Sequence, residues 1–270
     1  MPEDSVAAEG KRQKLGLVLS GGGARGIAHL GVLKVLDELG IKIGAITGSS
    51  SGAIAGALYA SGYSPDEILQ IINETNFFRL IRPAISKTGL LKMDSAEWLY
   101  KKYLSHDSFE DLRIPLTINA TDLCLGRTVY FSQGDLIRPL MASTCIPVMF
   151  EPINIRGELF VDGGLLNNFP AEALVGTCDK IIGSHCNPVD ETFEIMNMRT
   201  MLERAFLLTI NANSYSRRNY CDLFIEPPAL KTYHIFDLGK ADEIFQIGYD
   251  YAKSRETEII SFCSGLPSTT

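Results

Sequence analysis

Several residue types and patterns are scarce in this chain of 270 residues. Lys and Arg total 25 against 32 Asp and Glu, and the resulting net charge of −7 argues against a nucleic-acid binder, which needs a basic surface. The six cysteines stand singly, without a CxxC pair, so we expect free thiols in a reducing compartment rather than disulfides or a metal finger. No apolar run approaches the roughly 20 residues needed to span a bilayer.

The two ends of the chain are polar. The segment Met1–Lys14 lacks the apolar stretch of a signal peptide, and we therefore expect a cytoplasmic protein. Residues 1–13 are predicted to form a polar, disordered tail and residues 264–270 a short C-terminal tail. Residues 14–263 contain no low-complexity linker or internal repeat, and the 46% hydrophobic content of the whole chain is ordinary for a globular protein, so we expect a single domain.

Short apolar runs alternate with helical segments at the start of this domain. The pattern predicts strands at Leu15–Leu19 and Ile41–Thr47 and helices at 24–39 and 53–60. Alternation of this kind, with tight glycine turns, predicts an α/β fold in which helices cover both faces of a mainly parallel central sheet, a three-layer α/β/α arrangement. Further strands are predicted at 114–123, 127–132, 159–161 and 180–184, and further helices from Ser64 and over 134–142, 198–218 and 239–255.

Ser50 lies between the second predicted strand and the second predicted helix. It is the central residue of Gly48-Ser49-Ser50-Ser51-Gly52, a GxSxG motif in the strand–turn–helix context of a nucleophile elbow. Such a turn exposes a serine oxygen to substrate. The alternative is a plain Ser/Gly-rich turn, but the flanking strand and helix patterns favour the nucleophile.

A glycine-rich loop, Gly21–Gly26, follows the first predicted strand and satisfies the dinucleotide-binding pattern GxGxxG. A dinucleotide-binding fold needs an acidic residue about twenty positions later to hold a ribose, and the segment 43–49 contains none. We therefore interpret the loop as an oxyanion hole, in which the amides of Gly22, Gly23 and Ala24 point at developing negative charge. Arg25 adds a nearby cation, or is simply a solvated arginine at a helix start.

A serine nucleophile needs a base, and the chain has only four histidines. His29 is predicted to be a packed or capping residue and His106 lies in a polar loop. His185 and His234 are the two that could complete a Ser–Asp–His triad. The stronger candidate is Asp162, which ends a short apolar run and precedes Gly163 and Gly164, although Asp-Gly alone is also a common turn.

The three motifs together resemble the signatures of the patatin-like phospholipases, bacterial-type lipid acyl hydrolases. Intervening segments at 28–33, 120–123, 142–147 and 162–170 are also similar to that family. The resemblance implies a catalytic dyad of Ser50 and Asp162 and an oxyanion hole formed by Gly22, Gly23, Ala24 and Arg25, with no metal and no organic cofactor. It also implies that six glycines support the motifs: Gly21, Gly26, Gly48, Gly52, Gly163 and Gly164. Ser51 departs from the family pattern, which usually has alanine there.

The resemblance implies that the domain is a serine hydrolase of phospholipase or lysophospholipase type, which cleaves fatty acyl esters of lipids through an acyl-enzyme. Two alternatives remain at this stage: a catalytically idle lipid-binding or regulatory protein, and an esterase with a Ser–Asp–His triad. A free aspartate has a pKa of about 3.9, low for a base that works near pH 7, so the dyad also predicts desolvation of Asp162.

Residues 76–104 mix basic and large apolar side chains. This segment contains six Lys or Arg residues and two acidic residues, which gives a local net charge of +4. The only tryptophan of the chain, Trp98, lies within it. This composition suits peripheral contact with a lipid surface, where cations meet phosphate headgroups. The alternative is a cap over the site with solvated charges and a buried Trp98.

Overall fold

A central sheet of eight strands organises the protein in the computed structural model, which describes residues 14–75, 82–83, 91–92, 94–192, 194 and 197–264. The predicted tails at 1–13 and 265–270 lie outside these residues. The strands are β1 (Leu15–Leu19), β2 (Ala45–Gly48), β5 (Leu116–Asp122), β6 (Arg127–Phe131), β7 (Ile153–Ile155), β8 (Glu158–Asp162), β9 (Lys180–Ser184) and β10 (Leu223–Ile225). A separate two-stranded sheet pairs β3 (Arg82–Pro83) with β4 (Leu91–Lys92).

The sheet is parallel in one half and antiparallel in the other. Its order is β10-β9-β1-β2-β5-β8-β7, and β6 pairs with β5 off this path. The pairs among β10, β9, β1, β2 and β5 are parallel, whereas β6, β7 and β8 form antiparallel pairs. The predicted mainly parallel α/β sheet is therefore confirmed, with an antiparallel extension at the β7 end.

Helices pack on the sheet and on one another. They are α1 (Ala28–Glu38), α2 (Ser51–Ser61), α3 (Pro65–Glu74), α4 (Asp94–Tyr103), α5 (Ile137–Ser143), α6 (Gly164–Asn167), α7 (Met198–Tyr215), α8 (Ala241–Ser254) and α9 (Glu256–Cys263). Single 3-10 turns occupy Gly23–Ile27, Ala171–Leu174, Ser216–Tyr220, Pro228–Thr232 and Leu238–Lys240. The core is continuous from β1, β2 and β5 to α1 and α2, where Leu17, Leu33 and Ile46 are fully buried.

Local signals in the sequence explain several element boundaries. Gly62 ends α2 in the left-handed conformation, with φ of 105°, that favours glycine after a helix. Ser64 caps α3: its Oγ accepts from the Glu67 amide while the Glu67 carboxylate accepts from the Ser64 amide, a capping box.

Some predicted boundaries were wrong. The helix expected over 24–39 starts as the 3-10 turn Gly23–Ile27, and the strand expected over 41–47 forms only at Ala45–Gly48. The helix expected over 198–218 ends at Tyr215 and continues as a 3-10 turn. Strands β7 and β10 and helix α9 were not predicted from the sequence, because such short segments carry too few residues for a clear periodic pattern.

Candidate active site

Ser50 occupies a strained turn between β2 and α2. Its φ of 50° and ψ of −122° lie in a region that side-chain-bearing residues rarely adopt, as expected at a nucleophile elbow. Gly48 and Gly52 let the turn close: a Cβ on Gly48 would lie 2.6 Å from the Gly52 carbonyl oxygen, and one on Gly52 would overlap the Leu19 carbonyl. The Ser50 amide donates to Ser143 Oγ at 3.0 Å, which fixes the turn from α5.

Asp162 reaches Ser50 because two strands end beside each other on β5. Strand β2 runs parallel to β5 and its last residue, Gly48, pairs with Ile118. Strand β8 runs antiparallel to β5 and its last residue, Asp162, pairs with Ala120. The two carboxyl ends therefore point toward each other from opposite directions, with partners only two residues apart.

The Ser50 and Asp162 side chains are in direct contact. Ser50 Oγ donates to Asp162 Oδ2 at 2.7 Å, and the Gly164 amide donates to Asp162 Oδ1 at 2.7 Å. Asp162 is 1% exposed, and this burial raises the pKa of its carboxyl to about 6, although the hydrogen bonds from Ser50 and Gly164 pull the pKa down. Desolvation thus brings the carboxylate much nearer to the pKa of a base that works at pH 7.

The backbone amides of the glycine loop differ in whether they already donate a hydrogen bond within the protein. The Ala24 amide donates to the Ile235 carbonyl at 2.8 Å, and the Arg25 amide to the Gly22 carbonyl at 3.2 Å. Both amides already donate within the protein in this conformation, so to bind an oxyanion they would first have to break these hydrogen bonds. Within the described part of the chain, the amides of Gly22 and Gly23 donate to no protein acceptor. They are the remaining candidates for an oxyanion hole.

The Arg25 side chain is buried and contacts the segment around Tyr233. It is 4% exposed, its Nε donates to the Tyr233 carbonyl at 2.7 Å, and burial lowers the pKa of its guanidinium. The alternative of a solvated arginine is therefore wrong. The side chain ties the start of the 3-10 turn at Gly23–Ile27 to the segment around Tyr233, which supports the glycine loop.

Asn168 joins the glycine loop to the segment that follows Asp162. Its carbonyl accepts from the Gly21 amide at 3.1 Å, and its Nδ2 donates to the Gly21 carbonyl at 3.2 Å. Asn213 on α7 accepts from the Asn168 amide at 2.8 Å and donates to the Gly164 carbonyl at 3.1 Å. In the sequence, the segment 162–170 is marked only by its resemblance to the family. The spacing of Asn168 and Asn213 gave no sign that they would meet.

The histidines are engaged elsewhere. His29 is buried as predicted, with Nδ1 2.8 Å from Ser184 Oγ and Nε2 2.9 Å from the Ser20 carbonyl, and burial lowers its pKa to about 4. His185 Nδ1 lies 2.7 Å from Glu226 Oε1, and His234 Nδ1 lies 3.1 Å from Glu203 Oε2. His106 is exposed. Each of the two proposed triad histidines is thus paired with a glutamate, and Ser50 Oγ donates to Asp162.

An apolar cavity of about 280 Å³ opens beside Ser50. One wall is α2, where Ser51, Ile54 and Leu58 face the cavity on successive turns leading away from Ser50. The other walls come from α3, α4 and the segments near Ile146 and Ile235. The cavity can accept an apolar chain whose carbonyl end lies at Ser50.

Other predicted features are only partly covered by the structure. Most of the segment 76–104, including Arg79 and Lys87, lies outside the described residues, but Trp98 on α4 is 62% exposed, which contradicts the buried Trp98 of the cap alternative. In the part of the chain that the structure describes, no group of three or more His, Cys, Asp or Glu side chains could hold a metal ion. No helix within that part has the length and apolar character to cross a membrane.

Comparisons with known proteins show which family and which relatives this chain is similar to. The family model for the patatin-like phospholipases matches residues 17–175. An uncharacterized NTE family protein of Mycobacterium tuberculosis is 36% identical over 166 residues, which cover 60% of this chain and 46% of that protein. The lysophospholipase NTE1 of Candida glabrata is 28% identical over 277 residues, which cover 89% of this chain and 16% of that protein. The chain thus spans less than half the length of these curated relatives.

A solved structure supports the fold independently of sequence. The crystal structure of VipD from Legionella pneumophila matches with a TM-score of 0.62 at 16% identity, covering 92% of this chain and 67% of that chain.

Proposed function

The chain belongs to the patatin-like phospholipase family, and we propose that it hydrolyses fatty acyl esters of lipids with Ser50 as nucleophile and Asp162 as general base. The observation that carries this proposal is the 2.7 Å hydrogen bond from Ser50 Oγ to Asp162 Oδ2 beside an apolar cavity. We further propose that residues 14–263 form the single catalytic domain.

The proposed reaction has two halves. Ser50 Oγ attacks the ester carbonyl carbon while its proton passes to Asp162 Oδ2, and the Gly22 and Gly23 amides stabilise the oxyanion. The intermediate collapses when the leaving alcohol takes that proton, which leaves an acyl group on Ser50. Asp162 then takes a proton from water, the resulting hydroxide attacks the acyl carbonyl, and Ser50 recovers its proton as the fatty acid departs.

The substrate class follows from the cavity and from the relatives. The apolar lining suits one fatty acyl chain, and its polar end lies at the elbow. The curated yeast relatives are lysophospholipases by name. We therefore propose a monoacyl lipid such as a lysophospholipid as the first substrate to test, ahead of diacyl phospholipids.

Labelling with an alkyl fluorophosphonate, followed by peptide mass spectrometry, tests the nucleophile. We expect one adduct on Ser50 in the unmodified chain and none in Ser50→Ala. A panel of lysophospholipids, phospholipids and acylglycerols then identifies the substrate. If the purified chain binds lipid but gives no adduct and no hydrolysis, the proposal is wrong and the alternative of an idle lipid-binding protein stands.

We also propose that residues 76–104 bring the protein to a membrane surface. Trp98, Lys101 and Lys102 are all exposed on α4, which supports a face that combines an aromatic ring with cations. Flotation with anionic vesicles tests this proposal: we expect Trp98→Ala combined with Lys101→Glu and Lys102→Glu to reduce the floated fraction. Unchanged flotation would contradict it.

A further inference from the structure

Helix α7 carries an apolar stripe on the side that faces away from the protein. Its inner side is buried through Leu207, Ile210 and Ser214. Among the α7 residues whose side chains the structure describes, the exposed ones are Thr209 and six apolar residues: Met198, Met201, Ala205, Leu208, Ala212 and Tyr215. These six are called the α7 stripe below. Met198 is 80% exposed and Met201 54%, unusual values for apolar side chains on a surface helix.

The α7 stripe has the spacing of a helix-packing seam. Its members follow one another at alternating intervals of three and four residues, the a and d positions of a seven-residue repeat. This repeat keeps one line of side chains facing a second helix along the whole contact, because two helices at a small crossing angle match side chains every 3.5 residues. The same spacing also gives the apolar face of an amphipathic helix, so the choice of a second helix as partner rests on the order of side-chain sizes along the stripe.

The sizes of the side chains along the α7 stripe suit antiparallel packing against a second copy of the same helix. When a second α7 runs antiparallel, Met201 faces Ala212 of the other copy, and Ala205 faces Leu208. Each large side chain thus meets a small one. Met198 and Tyr215 meet at the two ends of the contact. A two-fold axis generates this arrangement, since it requires that residue i contact residue j and j contact i.

We propose that the chain forms a symmetric homodimer through antiparallel packing of α7 against α7. The 18-residue helix is about 27 Å long and 10 Å wide, so the helix pair alone offers less than the roughly 800 Å² per partner of a standard stable interface. The dimer should therefore be concentration-dependent, with a dissociation constant in the micromolar range.

The proposed interface and the candidate active site share this helix. On its inner side, Glu203 accepts from the Ile235 amide at 2.8 Å, and Asn213 donates to the Gly164 carbonyl at 3.1 Å. Ile235 lines the cavity and Gly164 donates to Asp162. The dimer proposal itself rests on the outer side of α7 and does not depend on the proposed hydrolase activity.

Sedimentation velocity between about 1 and 200 µM tests the dimer, a range that spans micromolar dissociation constants. We expect the weight-average mass to rise toward twice the chain mass of 29.6 kDa. Met201→Lys and Ala212→Glu, made separately, should each raise the dissociation constant about tenfold or more, since each places a charge in an apolar contact. Ile260→Lys, at a residue 49% exposed on α9, is the matched control and should leave the dimer unchanged.

The double variant Met201→Lys/Ala212→Glu tests the antiparallel register. Positions 201 and 212 are far apart within one helix but face each other across the proposed axis, so opposite charges there should restore association relative to either single variant. Circular dichroism and thermal melts check that all variants fold. A monomer at every concentration overturns the proposal, as does a double variant that stays as weak as the singles.

The same variants also separate the dimer from a lipid-binding face. If the unmodified chain is monomeric and floats with anionic vesicles, and Ala212→Glu abolishes that flotation, the α7 stripe is a membrane contact and the dimer proposal is wrong.

Discussion

The two sides of Ser50 are built from different chemistry. On the side of Asp162, the groups are polar, buried and hydrogen-bonded to one another, from Ser143 through Asp162 to Gly164. On the other side, the cavity wall along α2 is apolar. Under the proposed mechanism the difference separates two tasks: the polar side would set the reactivity of the serine, and the apolar side would select the acyl chain that reaches it. Changes on the polar side should therefore alter rate for all substrates, whereas changes in the cavity should alter preference among them.

The largest effect should come from removing either member of the Ser50–Asp162 pair. Ser50→Ala and Asp162→Asn should each lower kcat/KM by about 10⁴-fold or more for short and long acyl esters alike. His234→Ala is the control, because His234 is half-exposed and paired with Glu203, and this variant should retain most activity. Loss of activity in folded His234→Ala or His185→Ala would favour a histidine base.

Asp162→Asn should also stabilise the fold at alkaline pH. Burial raises the pKa of Asp162 from 3.8 to about 6 in the folded protein. Because this carboxyl ionises at lower pH in the unfolded chain, the free energy of unfolding falls as pH rises from about 4 through 6. Asparagine removes a cost of about 3 kcal/mol, obtained from about 1.4 kcal/mol per pKa unit. Urea denaturation should show the variant about 2–3 kcal/mol more stable than the unmodified chain at pH 8, and the difference should shrink toward pH 4.

Ser50→Ala serves as the opposite control for that measurement. It removes a hydrogen bond that lowers the pKa of Asp162, so the buried carboxylate costs more at pH 8 and the variant should gain nothing from the loss of its hydroxyl. A pH-independent difference between Asp162→Asn and the unmodified chain would show that the Asp162 pKa is not raised.

The rate should report the same pKa. The proposed base must be ionised, so kcat/KM should fall below a pKa of about 6 and be about tenfold lower at pH 5 than on the plateau near pH 8. Measuring the pH profile with two esters, one with a poor and one with a good leaving group, checks that the fall in kcat/KM at low pH belongs to the enzyme. A fall centred near pH 4 would contradict the desolvation of Asp162.

The smallest effect should come from the cavity, and there it should depend on the substrate. Leu58 faces the cavity two turns along α2 from Ser51. Leu58→Phe should lower the ratio of kcat/KM for palmitoyl over butyryl esters several-fold by filling the distal space, while Leu58→Ala should raise it. The ratio cancels any loss of folded protein. An equal change for both esters would contradict the division between the two sides of Ser50.

Local sequence patterns predicted the individual motifs well. The GxSxG pattern between an apolar run and a small-residue helix predicted a tight turn at Ser50, and the structure has one. The apolar runs predicted β1 and β9 with their observed limits. These features depend on contacts between residues near each other in the chain. The same signals predicted the Ala24 amide as an oxyanion donor with Arg25 as a cation beside it. They could not show that the Ala24 amide donates to the distant Ile235 carbonyl, or that the Arg25 amide donates to Gly22 within the 3-10 turn.

By itself, the sequence determined which chemistry is present: a tight turn at a serine, a glycine loop and an aspartate at the end of a strand, features that depend on residues close together in the chain. Only the tertiary structure decided that Ser50 and Asp162 meet, because the two strands that carry them run in opposite directions and end beside each other on β5. It also decided the raised pKa of Asp162, since burial depends on every element packed around the carboxyl. The outward stripe of α7 follows the same division: its repeat can be read along the chain, but which side of the helix is buried depends on the rest of the fold.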